Sequence, residues 1–161
     1  MGELYTSKLT LNSKLSTLNF MSLGERNNNP LNIRRGKSAW IGEIPQSSSP
    51  LRGGREGSAF CHFSTLEHGI RAAYQILDTY RRKYHAVCIE DIISRWAPPS
   101  ENDTEAYIRS VCALTGFGGK ERLTEAEWPA LVKAMALIES RMHLDAAILK
   151  TAYNLYLNLK R

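Results

Sequence analysis

A chain of 161 residues predicts one domain with a core that needs no covalent staples, and its 43% hydrophobic and 23% charged shares are those of an ordinary soluble globular protein. The net charge of +5 suits a negatively charged partner, whether nucleic acid, anionic lipid or the acidic polymers of a bacterial wall, without choosing among them. Cys61, Cys88 and Cys112 have no C-x-x-C spacing, which argues against a zinc site or disulfide framework and for buried thiols, and no apolar run approaches membrane-spanning length.

Residues 1–23 read as an N-terminal arm, rich in Ser, Thr, Leu, Asn and Lys, and residues 24–161 as the folded domain. The N-terminus lacks the uninterrupted apolar core of a secretory signal. From Gly24 to Phe63 the text is crowded with Asn, Gly, Pro and Ser, and only "SAWIGEI" and "AFCHF" have strand character, enough for one small β-hairpin. After that, helices take over. "STLEHGIRAAYQILDTYRRKY" opens with a capping box of Ser64 and Glu67 and carries Ile70, Ala73, Tyr74 and Leu77 on one face. "CIEDIISRWA" is a shorter amphipathic helix stopped by Pro98-Pro99. "SENDTEAYIRSVCALTGF" restarts from a polar cap cluster and ends near Gly116, so "GFGGK" is a helix end and not a phosphate loop. "TEAEWPALVKAMALIESRM" and "DAAILKTAYNLYLNLKR" complete a mainly α fold with a minor β part.

Two stretches invite a chemical reading. "RNNNPLNIRR" is a turn by composition, yet Asn28, Asn29 and Asn32 between Arg26 and Arg34-Arg35 also gather the hydrogen-bonding groups that a hydroxyl- and amide-rich ligand such as a sugar needs. "ALVKAMALIESRMH" places Glu139 at the margin of an apolar stripe formed by Leu131, Met135, Ile138 and Met142. A carboxylate there is either a rim residue pairing with Lys133 or Arg141, or a partly desolvated acid kept for chemistry. His62, His68, His85 and His143 lack metal-ligand spacing, so neither metal nor cofactor is expected. Tyr74, Tyr80, Tyr84 and Trp96 read as core before ligand platform. Arg34-Arg35, Arg52, Arg55 and Arg81-Arg82-Lys83 are scattered and accompany no DNA-reading motif, which predicts only weak, salt-sensitive association with DNA.

"ALVKAMALIESRMHLDA" resembles the glutamate helix of lytic transglycosylases and goose-type lysozymes, in which an apolar helix delivers a Glu-Ser pair, here Glu139-Ser140. "DTEAYIRSV" is similar to that superfamily's tyrosine segment, with Tyr107 in the tyrosine position. The glutamate helix comes last here and first in the familiar enzymes, an order that a circular permutation of the lysozyme-like fold gives. The chain from Gly24 to about Gly118 also resembles a group of phage virion and prophage proteins. The shared features are "RNNNPLNIR", Trp40 with Gly42, Phe60 with Phe63, and "RWAPPSENDT"; Leu31 replaces a usual glycine, and Ile138–Arg141 departs from that group's usual text.

The resemblance implies a lysozyme-like domain that cleaves peptidoglycan between N-acetylmuramic acid and N-acetylglucosamine. Glu139 is then the proton donor, while Ser140, Tyr107, Asn28, Asn29 and Asn32 meet the sugar. A second carboxylate is sought among Glu43, Glu56 and Asp145; if none serves, the lone glutamate implies lytic transglycosylation, the outcome that the sequence favours. A basic enzyme without a recognisable secretory signal implies synthesis in the cytoplasm and delivery, by a phage particle, lysis system or secretion apparatus, to the periplasm of a target cell. If a secretion apparatus delivers it, a periplasmic immunity protein is the expected partner; no membrane insertion is expected. The alternative is a non-catalytic virion or secretion component that binds wall glycan or nucleic acid.

Overall fold

The computed structural model describes residues 21–45 and 59–159, so the arm up to residue 20, most of the Ser/Gly-rich loop, and Glu56, Arg52 and Arg55 with it, lie outside the described residues. Helices dominate: α1 (Leu23–Arg26), α2 (Leu66–Tyr84), α3 (Ile89–Trp96), α4 (Thr104–Thr115), a 3-10 turn at Glu125–Glu127, α5 (Trp128–Ser140) and α6 (Ala146–Leu159). None is long and apolar enough to cross a membrane.

Local chemistry sets the helix ends. α2 is capped by Thr65, whose side chain accepts from the His68 amide, one residue later than the expected Ser64 box. Asp103 caps α4 by accepting from Ala106 N, and Gly116 ends it in the left-handed conformation that glycine adopts without a Cβ penalty. Sequence reading missed α1 altogether. It is a single turn held by a capping box in which Glu25 accepts from Ser22 N and Ser22 Oγ accepts from Glu25 N.

α5 is the central element and packs against α1, α2, α4 and α6. Leu131, Val132 and Met135 on its inner face are fully buried, each contributing roughly 1.5–3 kcal/mol of apolar burial. α2 lies along α6, with Tyr74 edge-on to Tyr153 at 5.3 Å and its hydroxyl donating to Leu149 O. Tyr84, by contrast, is exposed beneath the Arg95 guanidinium, 3.9 Å from its ring centroid, and is not core.

The β part is smaller than a hairpin. The strand-like texts meet as isolated antiparallel bridges, Arg34 with Phe60 and Glu43 with Phe63, and no longer ladder forms among the described residues. Side chains complete what the ladder lacks. Asn29 Nδ2 donates to Ile33 O and Cys61 O while its Oδ1 accepts from Ile33 N, so one buried amide ties both segments together. The turn then closes against α2, where a Cβ on Gly69 would fall 2.0 Å from the Asn28 carbonyl oxygen.

Candidate active site

α5 ends directly after Glu139-Ser140, and Arg141 takes a left-handed conformation at φ 56°. A helix end leaves its last carbonyls without intrahelical partners. Leu137 O and Ala136 O accept from Arg141 N and Met142 N. Glu139 O accepts from Asn32 Nδ2 at 3.1 Å, across 107 residues of sequence. Asn32 itself has φ 49°, a conformation Asn tolerates better than most residues. The asparagine turn therefore caps the helix at the residue that carries the acid.

The Glu139 carboxylate is fixed by two further donors. Tyr107 Oη–H donates to Oε1 at 2.9 Å from α4, and Trp96 Nε1–H donates to the same oxygen at 3.1 Å from the end of α3. Burial first, and then the Glu139 charge, push the Tyr107 phenol far above its ordinary range, so it stays a donor. No described residue bonds to Oε2. One oxygen is held and the other is left for a ligand.

Glu139 opens into a cleft of about 430 Å³ whose walls include Trp40, Phe60, Tyr80 and Trp96 together with Asn32 and Arg34. Aromatic faces interleaved with amide and guanidinium groups suit a polyhydroxylated ligand, because rings pack on the apolar faces of sugar rings and polar tips meet their hydroxyls. Tyr80 and Trp96, read from sequence as core, pack half-buried against it and also line the cleft. A tryptophan just before Pro98-Pro99 was the available signal, since a buried indole N–H needs an acceptor.

The other expected binders separate. Asn32 reaches the cleft, whereas Asn29 is wholly buried with its amide committed to backbone groups. Asn28 donates to Phe63 O and shapes the turn. Ser140 is buried against α1, where a Cβ on Gly24 would fall 2.0 Å from its Oγ. Its neighbour Glu139 projects elsewhere because successive helical residues point about 100° apart. The geometry thus commits Asn28 and Asn29 to backbone groups and buries Ser140 against α1, in place of the sugar contacts expected of them.

The candidate second acids are likewise occupied. Glu43 pairs with Arg35 at 2.7 Å and accepts from Trp40 N, with its side chain only 6% exposed. Asp145 accepts from Ile148 N at the start of α6. Glu25, a rival acid by position, is spent in the α1 capping box. The basic run of α2 is also engaged: Arg82 pairs with buried Asp78 at 2.8 Å, and Arg81 with Asp78 and Glu125. Burial, reinforced by Glu43, pushes the Cys61 thiol up to about 12, which leaves it a poor nucleophile. No group of three or more His, Cys, Asp or Glu side chains is gathered as metal ligands among the described residues.

No family model matches the chain. A curated protein, protein P5 of Pseudoalteromonas phage PM2, is 42% identical to it over 126 residues, a span that covers 76% of this chain and 74% of that relative.

Proposed function

The chain belongs to the family of protein P5 of Pseudoalteromonas phage PM2, a bacteriophage protein, and we propose that it cleaves the glycan strands of peptidoglycan. One observation carries the reading. Glu139 is held through Oε1 by Tyr107 and Trp96 at the edge of an aromatic-lined cleft, with no described residue on Oε2. An acid fixed in this way presents its second oxygen, which carries the proton in the neutral form, to a glycosidic oxygen lying in the cleft. Tyr107 and Trp96 then meet the charge left on Oε1 when that proton departs, without having to reorganise. The net charge of +5 favours a substrate bearing carboxylates.

Such an enzyme acts on the wall of a target cell after delivery by a phage or a secretion apparatus, and a protein that plugs the cleft would serve as its inhibitor. Mass spectrometry of purified peptidoglycan after incubation with the full chain tests the reading. Disaccharide-containing fragments support it. A sacculus that is bound and left intact would instead favour a non-catalytic glycan binder, for which the same aromatic walls would suffice.

A further inference from the structure

The cleft has a second acidic side chain that none of the sequence-based candidates included. Glu101 lines it, on the loop that joins α3 to α4. Among the described residues that line the cleft, Glu139 and Glu101 are the two carboxylates. The loop is firmly built. Glu101 N donates to Pro98 O, Asn102 Nδ2 donates to the same carbonyl, and buried Thr104 donates to Ala97 O at 2.6 Å. Yet the Glu101 side chain is 63% exposed, and its ion-pair partner, Arg34, which also lines the cleft, is distant at 3.7 Å. Unlike Glu25, Glu43 and Asp145, it caps no helix and joins no buried pair.

Glu101 is also tied to the acid through both walls. Trp96, which holds Glu139 Oε1, stands five residues before it on one wall. Asn32, which caps Glu139 O, stands two residues before Arg34 on the other. A ligand in the cleft therefore meets both an anchored carboxyl and a solvated one. Glycosidases that use water need this pair, one group to protonate the departing oxygen and one to take a proton from the attacking water.

Resting on the glycan-cleaving reading above, we propose that Glu101 is the base that activates water and that the reaction is hydrolysis. As Glu139 delivers its proton, the bond between C1 and the glycosidic oxygen breaks. A water oxygen forms the new bond to C1 from the other face of the sugar, and the proton it sheds goes to Glu101. Exchange with solvent then strips Glu101 and reloads Glu139, so the net reaction consumes one water and yields a free reducing end. This replaces the ring closure expected of a lone glutamate.

The test digests purified peptidoglycan with wild type, Glu101→Gln and Glu101→Ala, the last with and without sodium azide, and identifies products by mass spectrometry. Circular dichroism checks that each variant is folded. Wild type should give reducing-end fragments, and in 18O water should carry one label at the new end. Glu101→Gln should be slower by ~10²–10⁴-fold. Azide, a nucleophile that needs no base, should restore cleavage by Glu101→Ala and give a glycosyl azide. 1,6-Anhydro products from wild type, Glu101→Gln activity within about threefold of wild type, or no rescue by azide would each overturn the assignment while glycan cleavage stands. A wild type that releases no fragments at all would remove the cleavage reading and this proposal together.

Discussion

Tyr107 and Trp96 donate to one and the same oxygen of Glu139, at 2.9 and 3.1 Å, from two different helices. Glu139→Gln should therefore be well tolerated structurally, since the amide oxygen can still accept from both, at a cost of about 1 kcal/mol or less. It should nevertheless reduce peptidoglycan cleavage by ~10²–10⁴-fold, because an amide has no proton to give at neutral pH. Glu25→Gln is the control. Glutamine still serves in a capping box, so its turbidity-clearing rate should match wild type. Full activity in the Glu139 variant, or its loss in the Glu25 variant alone, would move the acid elsewhere.

The same pair of donors makes a prediction about coupling. With the Glu139 carboxylate ionised, Tyr107→Phe removes a hydrogen bond to a charged acceptor and should cost about 1.5–3 kcal/mol in urea denaturation. In a Glu139→Gln background the acceptor is neutral, and the same substitution should cost only about 0.5–1.5 kcal/mol. Equal costs in both backgrounds would mean that Tyr107 acts through packing alone, with no part in stabilising the charge.

Asn29 and Asn32 should separate stability from function. Asn29→Ala breaks three hydrogen bonds in a fully buried site and, at about 1 kcal/mol per bond, should lose roughly 3 kcal/mol or more. Asn32→Ala breaks one, to the carbonyl of Glu139, and should lose about 1 kcal/mol for the bond and up to roughly 1 kcal/mol more for alanine at a left-handed φ, while lowering kcat, because the helix end that aims the acid loses its cap. Thermal melts beside cleavage rates on the two variants decide this, and the reverse ranking in stability would contradict the hydrogen-bond assignment.

His62 predicts an acid limb in stability. Burial first, and Arg35 second, lower its pKa below the ordinary 6.5. Below pH 6.5 the unfolded chain takes up a proton that the folded site refuses, so stability falls from pH 6.5 downward until the folded-state pKa is reached. His62→Gln, which cannot titrate, should flatten this part of the profile of melting temperature against pH. A variant whose melting temperature falls as steeply as wild type between pH 7 and 5 would assign the loss to other groups.

The sequence by itself determined the five longer helices, α2 to α6, because their signals are local. The 3.6-residue stripe of α5, the Pro98-Pro99 stop after α3 and the Gly116 end of α4 each lie within a few residues of what they specify. It also singled out Glu139 through likeness to a known glutamate helix. What tertiary structure decided was the use of each polar group. Three asparagines in one run look alike in sequence, yet Asn29 is spent in the core, Asn28 shapes the turn and Asn32 alone faces the cleft. The hydrogen-bond partners of Glu139 lie 32, 43 and 107 residues from it, beyond the reach of any periodicity. Glu101 becomes visible as a cleft residue for the same reason. Only the packing of α3, α4 and α5 brings its loop opposite the asparagine turn, because burying their apolar faces fixes where every loop between them must end.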